Sequence, residues 1–166
     1  MTKTGFLDEL IEQEERLVLP AFGADLAFEL GCALRAAAKM AGNSVAIDIT
    51  VNGRCLFSHA MEGTSADNAG WIARKRALVE RFEHSSWYMK HYYESKGTTI
   101  EEKSLLSRAD YGPFGGAFPL RVKGAGCIGV VTVSGLPQAE DHRLVVETLA
   151  SFIAGNHQTD PLAEQK

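Results

Sequence analysis

The spacing of apolar residues changes several times along this chain, and each change marks an element. Leu7, Leu10, Ile11 and Leu17 are spaced for one face of a charged helix over residues 7–16. Arg16-Leu17-Val18-Leu19-Pro20 predicts a short edge strand, because Pro20 lacks the N–H that would continue the pairing. Residues 25–41 predict a helix whose Ala33, Ala36, Ala37 and Ala38 allow a neighbour to approach closely, and Gly42-Asn43 ends it. Over residues 44–60 the period drops to two. Val45, Ile47, Ile49 and Val51 alternate with Ala46, Asp48 and Thr50, Asn52-Gly53 supplies the turn, and Cys55, Phe57 and His59 carry the return strand. Thr64-Ser65-Ala66-Asp67 reads as a capping box that opens a helix to about residue 82. A second helix follows over about 86–95, and residues 98–102 cap a short third one. After the loop 110–116, two strands flank a Gly124-Ala125-Gly126 turn, and Pro137 opens a last helix to about residue 154.

Helices, hairpin, helices, hairpin and helix follow one another. Both hairpins pair antiparallel, and with the short strand they make five. The expected fold class is α+β: an α/β sandwich with an antiparallel five-stranded sheet flanked by helices. All 166 residues fit a single domain, with a core over about 7–154 and a polar tail over 155–166.

Charge and composition narrow the function classes. A net charge of −4 gives no global field for nucleic acid. No apolar run approaches the roughly 18 residues of a membrane span, and the first residues lack the apolar core of a signal peptide. Cys32, Cys55 and Cys127 are far apart and sit among apolar neighbours, which predicts reduced, core-packed thiols in a cytoplasmic protein.

Polar residues on apolar faces are the candidates for chemistry. On helix 65–82, Trp71, Ile72, Leu78, Val79 and Phe82 share one arc, and Lys75 and Asn68 fall inside it. Lys75 either snorkels to water or pairs with a carboxylate or an anionic ligand, and Asp48 is the expected partner. Arg74, Arg76 and Arg81 lie outside the arc and form a basic cluster, either a solvated face or a subunit interface. On the next helix His91 lies between Trp87, Tyr88 and Tyr92, either hydrogen-bonded in the core or acting as an iron ligand in an aromatic slot. His142 shares the buried side of the last helix with Val145, Leu149, Phe152 and Ile153, and a bond to Ser134 or the backbone is expected. His84-Ser85-Ser86 falls at a helix break, where Ser caps a helix; a Ser–His nucleophile is the alternative. Gly115-Gly116 reads as turn glycines, or as an anion nest beside Lys75 or Arg74. No metal-ligand spacing stands out.

Four stretches together carry a resemblance. They are Asn68-x-x-Trp71-Ile72-x-Arg74-Lys75, His84-Ser85-Ser86-Trp87, Gly115-Gly116-x-Phe118-Pro119-Leu120-Arg121-Val122, and Ile128-Gly129-x-Val131-Thr132-Val133-Ser134-Gly135-Leu136-Pro137-Gln138-x-x-Asp141-His142. Over about residues 7–154 the chain resembles the haem-degrading-domain family, the HbpS-like and GlcG-like superfamily, in its cytosolic branch. That resemblance implies a profilin-like sheet, a homo-oligomer, and a site for haem, another tetrapyrrole or a related anionic ligand. The expected ligand-binding residues are Lys75, Arg74, His84, His91, Trp87, Gly115 and Gly116. The other two readings are a non-catalytic assembly or adaptor protein and, third, a haem-degrading or hydrolytic enzyme.

Overall fold

The computed structural model describes residues 3–156, so the expected polar tail lies outside the described residues from 157 onward. Eleven elements follow in order: α1 (Lys3–Arg16), β1 (Val18–Leu19), α2 (Ala24–Met40), β2 (Ala46–Val51), β3 (Arg54–Ala60), α3 (Ala66–Phe82), α4 (Ser86–Ser95), α5 (Ile100–Ser104), β4 (Ala117–Val122), β5 (Gly126–Ser134) and α6 (Gln138–Asn156).

The five strands form one sheet in the order β1-β4-β5-β2-β3. Both hairpins are antiparallel as expected, and β2 joins them by pairing antiparallel with β5. The two-residue β1 instead runs parallel to β4, so the sheet is mixed. The cause is connectivity: β1 and β4 are separated by most of the chain, so no tight turn dictates their relative direction.

The two sheet faces differ in chemistry. Ile47, Ile49, Phe118, Leu120, Val131 and Val133 pack with Leu30, Leu34, Val145 and Leu149 of α2 and α6 in the main apolar core. The alternate positions Asp48, Thr50, Thr132 and Ser134 are also buried, although polar, and α3 lies over that face. Strand alternation therefore produces one apolar face and one mixed face, where Ala117 and Val130 pack on Val79 of α3 beside the polar positions, and both are covered. The inward side of α3 can hold a lysine because part of its counterpart is polar.

Two sequence expectations are corrected. The thiols are not core-packed: Cys32 and Cys55 are exposed and Cys127 is half-buried, because each falls on an outward or edge position of its element. At the start of α3 the reciprocal partner is Asn68, whose Oδ1 accepts the Ser65 N–H at 2.9 Å. Asp67 instead accepts the Trp71 Nε1–H at 3.1 Å, one turn along the helix.

Candidate functional site

Lys75 leaves the middle of α3 towards the end of β5 and is 2% exposed. Its ammonium donates to Gly115 O at 3.0 Å, Val133 O at 2.5 Å and Asp141 Oδ2 at 3.3 Å. An ammonium has three donors, and all three are used. Burial pulls the Lys75 pKa down and the Asp141 pKa up, while each charge works against that shift in its partner. Lys75 thus ties α3, β5, the loop before β4 and α6 together. Asp48 is not its partner. Asp48 lies further along β2, where Arg76 Nη1 donates to it at 3.0 Å and Thr50 Oγ1 at 2.8 Å.

Gly115 and Gly116 let this knot close. A Cβ on Gly116, where φ is +126°, would lie 2.5 Å from Lys75 Nζ and 2.6 Å from Val133 O. A Cβ on Gly115 would lie 2.3 Å from Gln138 O and 2.8 Å from the Trp87 ring. The pair does not form an anion nest: Gly115 turns its carbonyl to Lys75, and its N–H faces Gln138 Oε1 at 3.4 Å.

In front of this wall lies an open cleft of about 370 Å³, with Asp67, Asn68, Trp71, Phe114 and Gln138 among its lining residues and the Lys75–Asp141 pair at its base. Trp71 meets Phe114 edge-on at 5.2 Å, and the Arg74 guanidinium lies 4.6 Å from the centre of the Trp71 ring. Among the described residues no carboxylate pairs with Arg74. Asn68 Nδ2 donates to Ser134 Oγ at 3.2 Å and fixes the inner edge.

Behind the wall is a second cluster, and the expected site divides between the two. Lys75 and Gly115 line the cleft with Gly116 at its back and Arg74 beside it on the Trp71 ring, whereas Trp87, His91 and His84 lie on the far side under α1. Trp87 stands edge-on to His91 at 4.4 Å and stacks on His142 at 6.2 Å. His142 Nε2 meets Gln13 of α1 at 3.0 Å, in place of Ser134 or the backbone. His84 Nδ1 lies 2.7 Å from Glu14 of α1. Ser85 caps α4 by accepting the Tyr88 N–H at 3.1 Å. Ser86 Oγ accepts the Ala117 N–H at 3.0 Å and donates to Ala117 O at 3.3 Å. His84 is thus turned to Glu14 and both serines are structural, so this segment holds no Ser–His nucleophile.

Sequence reasoning missed Asp67, Phe114, Gln138 and Asp141 as cleft residues, and it missed Glu14. Asp141 came only inside a motif, and nothing local ties it to a lysine 66 positions away. Glu14 left a signal: it falls in phase with Leu7, Leu10, Ile11 and Leu17, and it is 2% exposed.

A family model described as haem degrading protein HbpS-like matches residues 22–150. A UPF0303 protein of Streptomyces coelicolor is 50% identical over 145 residues, covering 87% of this chain and 92% of the relative. A UPF0303 protein of Edwardsiella ictaluri is 46% identical over 156 residues, covering 94% and 99%. The crystal structure of the Ybr137w protein is similar with a TM-score of 0.84 at 38% identity, covering 91% of this chain and 89% of that one. A crystal structure of a PduOC:heme complex shares the fold with a TM-score of 0.64 at 17% identity, covering 80% and 95%. Among the described residues no helix is long and apolar enough to cross a membrane.

Proposed function

The chain belongs to the HbpS-like haem-degrading family, and from that premise we propose that it is a small-molecule-binding protein whose ligand enters the cleft between the start of α3, the loop before β4 and the start of α6. The observation that carries this reading is Arg74, stacked on Trp71 beside the cleft with no acid partner among the described residues. A planar ligand lies against Trp71 and Phe114, its acidic substituent meets Arg74, and Asn68 and Gln138 offer hydrogen bonds to its polar edge. Lys75 shapes the base and does not contact the ligand as a free charge.

Haem needs a different environment. Iron is held by axial His, Cys, Met or Tyr, and none of these residue types lines the cleft. His91 and His142 lie behind Gly115, packed against Trp87. A volume of about 370 Å³ lies near the lower end for small-molecule sites. It suits a one- or two-ring acid, and a tetrapyrrole enters only by an edge. Iron ligation is therefore no part of this reading.

The test is a titration of the full chain with iron-free protoporphyrin IX, haemin and benzoate, followed by tryptophan fluorescence and calorimetry. Trp71→Ala and Arg74→Gln are expected to weaken binding of whichever probe saturates by about tenfold or more, the worth of one charge-assisted contact or stacked ring. His91→Ala is expected to leave it unchanged. Saturable binding that is lost in His91→Ala and kept in Trp71→Ala would move the site behind the wall and overturn the reading.

A second reading, the homo-oligomeric assembly or adaptor role, is favoured by α2. Its Phe28 is 62% exposed and its Met40 90%. Sedimentation velocity of the wild type and Phe28→Ser tests it: a smaller species in the variant supports an assembly surface there, and identical sedimentation removes it.

A further inference from the structure

Helix α1 lies outside the segment 22–150 that matches the family model, yet it is fastened to the domain by all three histidines that lie behind the Gly115-Gly116 wall. Phe6 meets His91 edge-on at 4.9 Å, Gln13 meets His142 at 3.0 Å, and Glu14 meets His84 at 2.7 Å. Two of these imidazoles are incompletely satisfied: His91 Nε2 and His142 Nδ1 are buried with no hydrogen-bond partner among the described residues. A neutral imidazole tolerates one bare acceptor nitrogen, whereas an imidazolium requires two satisfied donors.

We propose that α1 is a histidine-keyed latch, which lifts from α4 and α6 in mildly acidic solution while the sheet stays folded. The groups facing each histidine set the direction. Around His142 stand Gln13 from α1, Trp87 and His91 from α4, and Phe118 from β4. None of these is a carboxylate, and His91 adds a like charge when protonated. Around His91 stand Phe6 from α1, Trp87, and Lys90 and Glu94 of its own helix; Glu94 favours the charged form and Lys90 opposes it. His84 faces Glu14, which Arg121 Nη2 also approaches at 3.7 Å. Glu14 further accepts the Ser85 N–H at 2.7 Å, and Asp8 of α1 lies near Tyr88. Two histidines, His91 and His142, therefore favour release.

Burial pushes the docked His142 down to about 4 and lowers His91 as well. Docking is then fully stable above the undocked value, near 6.5, and its stability is lost as pH falls through the window from there towards about 4. From about pH 7.5 to about pH 5, His142 alone would weaken docking roughly 25-fold.

Hydrogen exchange of the full chain, read by mass spectrometry and corrected for intrinsic rates, tests this at both pH values. In the wild type, α1 amides are expected to lose about tenfold more protection than β2 and β5 on acidification. His142→Gln, uncharged at either pH, should reduce that difference to about twofold or less. His91→Gln provides a second reading and should shrink the difference in part, including in the case where His142→Gln does not fold. Protection of wild-type α1 that persists at about pH 5, or that falls together with the sheet, overturns the latch. So does an undiminished difference in a folded His142→Gln or, if that variant does not fold, in His91→Gln.

Discussion

Lys75→Met is expected to destabilise the domain by about 3–5 kcal/mol in urea unfolding at neutral pH. Methionine keeps most of the stem volume, so the packing of α3 changes little. What is lost is the ammonium that satisfied Gly115 O, Val133 O and Asp141 Oδ2 together. The Asp141 and Lys75 side chains are 4% and 3% exposed, so water cannot replace the missing donor cheaply. Asp141 is already pushed up by burial, and without its partner it rises further and binds a proton in the folded state. The deficit relative to wild type is then largest at neutral pH and shrinks as pH falls towards the carboxylate range. The double variant Lys75→Met/Asp141→Leu is expected to recover a large part of the loss, because it removes the stranded charge. A single variant that costs less than about 1 kcal/mol would show that Lys75 is not the tie between α3, β5 and α6.

Gly116→Ala should cost about 2–5 kcal/mol by the same measurement. Two effects add: an alanine at φ +126° is strained, and its Cβ is driven into Lys75 Nζ at 2.5 Å and Val133 O at 2.6 Å. The backbone carbonyl belongs to β5 and cannot move aside without breaking its strand. Gly124→Ala is the control, since φ is +79° there but nothing lies within 4 Å of the added carbon. It should cost only about 1 kcal/mol, the conformational share alone. Equal losses at the two sites would mean that the wall in front of Trp87 is not closely packed.

The cleft and the histidine cluster are two sides of one piece of backbone. Gly115 stands between the cleft and the Trp87 ring, which a Cβ added there would meet at 2.8 Å. Physical separation also explains why seven candidate residues did not make one site. Lys75 and His91 both stand on inward helix faces, but α3 covers the sheet while α4 packs against α1.

Local signals in this chain were strong where the physics is local. The Asn52-Gly53 turn demanded positive φ and has it, at 49° and 75°. Val45, Ile47 and Ile49 alternate and are buried. Ser85 caps α4. The helical phase of Lys75 put it on the inner face, and it is buried there. Glu14 was missed, although it falls in phase with Leu7, Leu10, Ile11 and Leu17.

Which residues enter helices and strands and where the chain turns could be read from the sequence, because these follow from dihedral preference and from side-chain period, although the outward placing of Cys32 and Cys55 could not. The tertiary structure alone decided who meets whom: Lys75 with Asp141 rather than Asp48, β1 parallel to β4, and three histidines under α1. Those pairings join residues far apart in the chain, and their energies depend on burial and distance, which no local spacing encodes.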